Sequence, residues 1–369
     1  MILTRSVMFQ AALRVATLDS SGRWEMVNLE MRKLGKSPVE VTTLGLGTVP
    51  LAGFRTKASY GDFEDVVDAS FKGGIRHFDC APMYGFGKAE YYLGHALREL
   101  GIRRDVVVST KVGRVLKPTS RVKQQDTVYG IDWVDPLPFL DTYDYTYDGI
   151  MRSFEDSQQR LALDYIDVLL VHDLGKAWHG DNADIYWGQL RASGYKALDE
   201  LRRTGAVSAI GLGVNETESV LEVAREFDID CSLIAGRYTL LNHEPLEAAF
   251  AELQERNVSV IAGGVFNSGI LATGTKGRDL TYDYQAVPDD VIKRVVAIEE
   301  VGERHGVELA SAAIEFVSMH PAVASVVLGA QNLDQVQSNL AASSNRAPKE
   351  FWDELKQLKL LPDNAPTGA

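Results

Sequence analysis

Ile166-Asp-Val-Leu-Leu-Val-His172 is a short run that is apolar at every position but its second and its last, where it closes on a polar side chain. A helical pattern over Gly194–Thr204 then stops at Gly205, and Ser208-Ala-Ile-Gly-Leu-Gly-Val214 gives a second run of the same kind. A strand buried on both faces reads as continuous apolar sequence rather than as an alternation. Two such strands joined by a helix form a parallel unit, because a parallel pair needs a long crossover. The unit repeats in both directions. Val41–Thr48, Ile75–Asp79 and Val106–Lys111 precede it, and Cys231–Ala235, Val258–Ala262 and Ser325–Gly329 follow it, eight predicted strands in all. Helical patterns separate them at Phe63–Lys72, Glu90–Leu100, Tyr147–Leu163, Glu216–Phe227, Glu244–Glu255, Asp289–His305 and Leu309–Met319, with Asn332–Leu340 after the last strand. Asn215 is placed to cap the helix that follows it. This is α/β sequence, and eight strand–helix repeats predict a (β/α)8 TIM barrel, with an open doubly wound sheet as the alternative. The barrel is expected as a single domain over 31–345, with an N-terminal extension over 1–30, poorly ordered, and a C-terminal helix and tail over 346–369. Two long loops, Gly113–Thr146 after strand three and Asp173–Ser193 after strand four, are expected to overhang the mouth.

Bulk properties narrow the function. The 369 residues are 45% hydrophobic and 24% charged, enough for a large core, and the net charge is −13. An acidic surface excludes the basic footprint that nucleic acid and anionic membrane require. No apolar run approaches the roughly 20 residues of a membrane helix. Cys80 and Cys231 sit in no metal-binding spacing, so no metal is expected, and two isolated thiols fit a reducing cytoplasm. Near the start, Val7-Met8-Phe9 and Ala11-Ala12-Leu13 faintly imitate an export signal, but Gln10 and Arg14 interrupt them; a tail or an upstream start is the preferred reading.

A barrel carries its chemistry at the C-terminal ends of its strands. Strand two ends in Asp79, strand three in Lys111, strand four in His172, and Asn215 follows strand five; Tyr84 lies just past Asp79. Consecutive strands are neighbours, so these groups are expected on one patch. A phenol of pKa ~10 is a poor base at neutral pH. A nearby ammonium favours the phenolate, so Lys111 can tune Tyr84 and Asp79 can hold Lys111. His172 can donate to a substrate oxygen, and Asn215 suits an amide such as a carboxamide. Taken singly, each has a plainer reading: a loop cap for Asp79, a surface cation for Lys111, a core imidazole for His172, packing for Tyr84 and a helix cap for Asn215. Their joint placement carries the functional reading. Gly211-Leu-Gly213 begins like a dinucleotide fingerprint, but Glu216 stands where the third glycine belongs.

His77-Phe-Asp-Cys-Ala-Pro-Met-Tyr-Gly85, Ser109-Thr-Lys-Val-Gly113 and Leu170-Val-His172 together resemble the catalytic tetrad motifs of the aldo-keto reductases, and the resemblance covers roughly 31–345. It implies Tyr84 as proton donor or acceptor, Lys111 and Asp79 as its tuners, and His172 as the residue that orients substrate. It also implies a dinucleotide extended across the mouth without a Rossmann turn. Gly47, Thr48, Asp79 and Asn215 would take its ribose and carboxamide side. Gly263, Gly264, Phe266, Ser268 and Gly269 would take the pyrophosphate, and Gly329, Ala330, Gln331, Gln335 and Asn339 the adenosine end. The chain departs from the family pattern at Gly263, where a stacking aromatic is usual, and at Ala235, where a Gln is usual. It departs again at Gly329 and Gln335, where members preferring NADP carry Lys or Arg. A 2′-phosphate wants a cation. Neutral residues there point to NAD, with NADP open through Arg346 or Lys349.

Ile234-Ala-Gly-Arg-Tyr-Thr-Leu-Leu241 is similar to the branch of D-threo-aldose 1-dehydrogenase, L-fucose, L-galactose and pyridoxal 4-dehydrogenases. The resemblance implies oxidation of the anomeric carbon of a free aldose to a lactone. Alternatives are a pyridoxal 4-dehydrogenase, an NADPH-dependent aldehyde or ketone reductase on the same site, an aldolase using Lys111 as a Schiff base, and a non-catalytic nicotinamide-binding sensor. The partner is a small-molecule substrate, and the oligomeric state is open.

Overall fold

A computed structural model describes residues 29–119, 131–277, 280–283 and 285–367, with the strand pieces Thr17–Leu18, Trp24–Glu25 and Thr127–Val128. Most of the expected N-terminal extension therefore lies outside the described residues. Eight strands form the barrel: β1 Leu44–Gly47, β2 His77–Asp79, β3 Val107–Val112, β4 Ile166–His172, β5 Val207–Val214, β6 Cys231–Ala235, β7 Ser259–Gly263 and β8 Val323–Gly329. They pair in parallel in chain order, and β8 closes on β1. Nearly every barrel residue is buried, which is why the runs show no alternation.

The predicted first strand divides. Glu40–Thr42 pairs antiparallel with Met31–Lys33, and only Leu44–Gly47 enters the barrel. Thr42 makes the break, because its hydroxyl donates to Leu44 O and accepts from Arg76 N. Leu34, Val39 and Val41 of this hairpin join Val168, Leu170, Leu233 and Ile261 in the inner core, so the hairpin plugs the barrel's N-terminal end. The larger core lies between strands and outer helices.

Two helix expectations change. The helix predicted over Glu244–Glu255 is interrupted at Ala249, whose φ of −133° is outside the helical range. The helix after β5 runs Glu218–Glu226 with Thr217 at its N-cap, so Asn215 caps nothing. Both long loops carry structure of their own. The first contains an antiparallel hairpin, Arg114–Pro118 with Phe139–Tyr143, and reaches across the mouth: Val134 N donates to Gly53 O at 2.7 Å and Leu137 N to Gly85 O at 3.0 Å. The second folds into Lys176–His179 and Ala183–Gln189, which run through a wide turn at Leu190–Gly194 into the helix Tyr195–Arg203. Among the described residues there is no helix long and apolar enough to cross a membrane, and no cluster of metal ligands.

Candidate functional site

β2 and β3 deliver Asp79 and Lys111 side by side. Lys111 Nζ donates to Asp79 Oδ2 at 2.7 Å and to Cys80 O at 2.9 Å, and it lies 4.8 Å from the centre of the Tyr84 ring. Tyr84 sits in the turn after β2. The adjoining Gly85 has φ +61°, and a Cβ there would come 2.5 Å from Ala52 O, so the turn needs glycine. The rings of Tyr84 and His172 meet edge to face, centroids 6.0 Å apart. The structure thus brings Asp79, Tyr84, Lys111 and His172 into one cluster, with Tyr84 half-buried and the other three buried.

Burial raises the Tyr84 phenol well above its ordinary value, against the opposing pull of Lys111. The ammonium alone does not set the phenol, because desolvation is the larger effect here. Burial also disfavours the Lys111 ammonium, but Asp79 and Tyr84 outweigh it and hold the amine charged. A charged amine is no nucleophile, which argues against Schiff-base chemistry. His172 is driven far down, first by burial and then by Arg114 and Lys111, so it is a neutral imidazole at physiological pH.

Sequence reasoning missed the groups behind His172. Arg114, Asp141 and Asp173 form a buried ion triad: Arg114 Nη1 donates to Asp141 Oδ2 at 2.5 Å and Nη2 to Asp173. Asp173 Oδ2 lies 3.3 Å from His172 Nε2. Asp173 adopts φ +51°, unusual outside glycine, and its N–H donates to Gly213 O. Arg114 also faces the Tyr143 and Trp178 rings at 4.9 and 4.6 Å, and Tyr145 Oη donates to His172 O at 2.7 Å. The available signal was a single charge inside each of two otherwise uncharged runs, Val112–Leu116 and Phe139–Tyr143.

Around this cluster the mouth offers a shallow backbone cradle. Thr48 closes the first strand, its N–H and hydroxyl both donating to Asp79 O. Asn215 Nδ2 donates to Ala235 O at 3.4 Å, and Arg237 Nε to Asn215 O at 2.7 Å. After Gly263 the chain turns through Gly264 at φ +61°, and a Cβ there would come 3.0 Å from Gly236 N. Phe266 is half-buried beside it. Asn267, Ser268 and Gly269 then hold positive φ in succession, and the turn is closed by Asn267 N donating to Gly264 O and Gly269 N to Phe266 O. The Asn267 side chain, buried here, has no partner on either polar atom, and sequence reasoning passed over it. Beyond Gly329 and Ala330, Gln331 N donates to Gln335 Oε1, Gln331 Nε2 to Thr56 Oγ1, and Asn339 Nδ2 to Gly329 O. These residues fit a dinucleotide: small residues for close approach and an orphaned amide. Arg346 Nη1 donates to the Ser343 and Asn345 carbonyls. Arg346 and Lys349 follow the helix Leu333–Ser344, and Lys349 pairs with Asp353.

A sequence model of the aldo/keto reductase family matches residues 43–359. A pyridoxal 4-dehydrogenase of Microbacterium luteolum is 40% identical over 342 residues, covering 90% of this chain and 98% of that protein. A D-threo-aldose 1-dehydrogenase of a Pseudomonas species is 34% identical over 322 residues, 87% of this chain and 95% of its own. Among solved structures, an aldo-keto reductase of Bacillus halodurans in its holo form superposes with a TM-score of 0.67 at 24% identity, covering 90% of this chain and 96% of that one.

Proposed function

This chain belongs to the aldo/keto reductase family and is an NAD(P)-dependent oxidoreductase, and from that premise we propose that it oxidises the anomeric carbon of a free aldose to a lactone, with NAD as acceptor. The carrying observation is the buried Lys111–Asp79 pair beneath the Tyr84 ring, with neutral His172 against the ring's edge. The bound nicotinamide supplies the hydride acceptor; the protein's own part is the proton. Tyr84 as phenolate takes the hydroxyl proton while the carbon gives up its hydride and the C–O bond becomes C=O. Lys111 stabilises the phenolate, and Asp79 keeps the ammonium in place. His172, uncharged, aligns the substrate oxygen without competing for the proton, and the Asp173–Arg114 pair holds the face it presents. The choice of NAD rests on Gly329, Gln331 and Gln335, which offer no cation to a 2′-phosphate.

A second substrate deserves a place because the pyridoxal-named relative is the more similar of the two, 40% against 34%. Pyridoxal carries a hydroxymethyl group beside its aldehyde and closes into a cyclic hemiacetal, as an aldose does. The reacting carbon is then the same in both: one hydroxyl, one ring oxygen, one hydrogen. Initial rates with NAD and with NADP against a panel of free aldoses and pyridoxal test the proposal. NAD reduction by a free aldose supports it and selects the substrate, and NAD reduction by pyridoxal alone replaces the aldose with the second substrate. NADPH-dependent reduction of open-chain aldehydes, with no hemiacetal oxidised, replaces it with a reductase on the same site.

A further inference from the structure

Beneath the four clustered side chains three buried polar residues, His77, Ser109 and Ser325, interrupt an interior that barrels of this type fill with branched apolar residues. Ser109 on β3 donates its hydroxyl to Asp79 Oδ1 at 2.7 Å. That hydroxyl has one hydrogen, and it is spent on the carboxylate. Toward His77 Nε2, 3.0 Å away, Ser109 Oγ can therefore only accept. Nε2 must carry the imidazole hydrogen, Nδ1 is left as a lone pair, and Ser325 Oγ on β8 donates to it across 3.3 Å. Every hydrogen in the chain Ser325–His77–Ser109 points toward Asp79. His77 stays neutral, because burial lowers its pKa to about 4. Ser325, His77 and Ser109 are wholly buried. The neighbouring strand leaves room for the imidazole by carrying Gly45, where a Cβ would approach His77 Nδ1 to 3.1 Å.

A chain that ends at a wholly buried serine has no outlet to water, so it does not conduct protons. Its effect is directional. With Oδ1 held by Ser109, Asp79 turns Oδ2 to Lys111, and both carboxylate oxygens are engaged. We propose that His77, Ser109 and Ser325 are a positioning array that sets the Asp79 carboxylate, and through it the Lys111 ammonium, at the angle that faces the Tyr84 phenol. This rests on the reading of Tyr84 and Lys111 given above, and it adds residues that never touch substrate.

The test uses full-length enzyme with the best substrate of the panel. Loss of a hydrogen bond to a charged group should lower kcat of Ser109→Ala about 10- to 100-fold. Substrate KM and the NAD Kd, measured by fluorescence quenching, should stay close to wild type. Ser109→Thr, which keeps the hydroxyl, should restore most of the rate, and Ser325→Ala should lose less than Ser109→Ala. Imidazole 15N shifts should show His77 with its proton on Nε2 throughout the neutral range. A folded Ser109→Ala enzyme with wild-type kcat, or His77 protonated on Nδ1, overturns the array. Should Ser109→Ala fail to fold, the 15N shifts of the unmutated enzyme and the rate of Ser325→Ala decide. Tyr84→Phe separates the two readings: full turnover there defeats the role of Tyr84, whereas an inert Tyr84→Phe beside an unaffected Ser109→Ala defeats the array alone.

Discussion

At Tyr84 two opposed influences meet, and their balance sets how activity responds to pH. Burial raises the phenol and Lys111 lowers it, and burial wins. The group is therefore protonated at neutrality, and oxidation, which needs the phenolate, should accelerate steadily from about pH 6 to pH 10. Reduction needs the phenol and should stay flat over the same range. Lys111→Met removes the lowering influence, so the alkaline limb of oxidation should move to still higher pH. Rates measured in both directions check this; a flat oxidative profile would assign the proton to another group. Tyr84→Phe keeps the ring against His172 and removes only the hydroxyl. It should cut turnover by about 10²- to 10⁴-fold while NAD binding, followed by titration, is nearly unchanged.

At the scale of one strand, β5 shows why glycine recurs at Gly211 and Gly213. The sequence pattern suggested half a phosphate-binding fingerprint, but packing accounts for both. A Cβ at Gly211 would come 2.0 Å from the Cys231 carbonyl oxygen, which is backbone and cannot yield. At Gly213 it would come 3.2 Å from Lys111 Cε, a side chain with some freedom. Gly211→Ala should therefore cost about 1–3 kcal/mol of stability through overpacking, whereas Gly213→Ala should keep its melting temperature and lose kcat by displacing the lysine. Melts and rates on the two variants separate these effects; equal stability losses would contradict the assignment. The strands themselves were legible. Ile166–His172 and Cys231–Ala235 begin and end where their apolar runs do. The polar strand ends were legible too, because a buried strand that closes on Asp, Lys or His announces its mouth. Thr42 hid the split of the first strand, since Val41-Thr42-Thr43 is a β-branched run that looks like more strand. The Arg114–Asp173 pair was hidden differently: its members are 59 positions apart on two separate loops, and no local pattern registers such a contact.

For the whole molecule, closing the barrel leaves the outer helices to seal one another, and the last of them bears directly on stability. The helix Lys349–Gln357 buries Phe351, Trp352 and Leu355 against its surroundings. Phe351 and Trp352 meet at 4.8 Å, and Trp352 lies 6.3 Å from Phe316 of the helix before β8. Its polar contacts, an ion pair of Arg304 with Glu354 at 2.6 Å and a hydrogen bond between His305 and Glu354 at 2.7 Å, are near the surface and are worth little. Fully burying such side chains contributes about 1.5–3 kcal/mol each, so the three together rival the roughly 5–15 kcal/mol net stability of an ordinary domain. Deleting residues 349–369 should therefore leave a chain that aggregates or melts without a cooperative transition, although every barrel strand and every residue of the Tyr84 cluster is retained. Glu354→Gln should melt within a few degrees of wild type, since about 1 kcal/mol moves the midpoint by only that much. Calorimetry on both decides between apolar burial and surface charge as the source of the helix's contribution: a truncated chain with a sharp, near-native melt would show that the barrel is sealed without it.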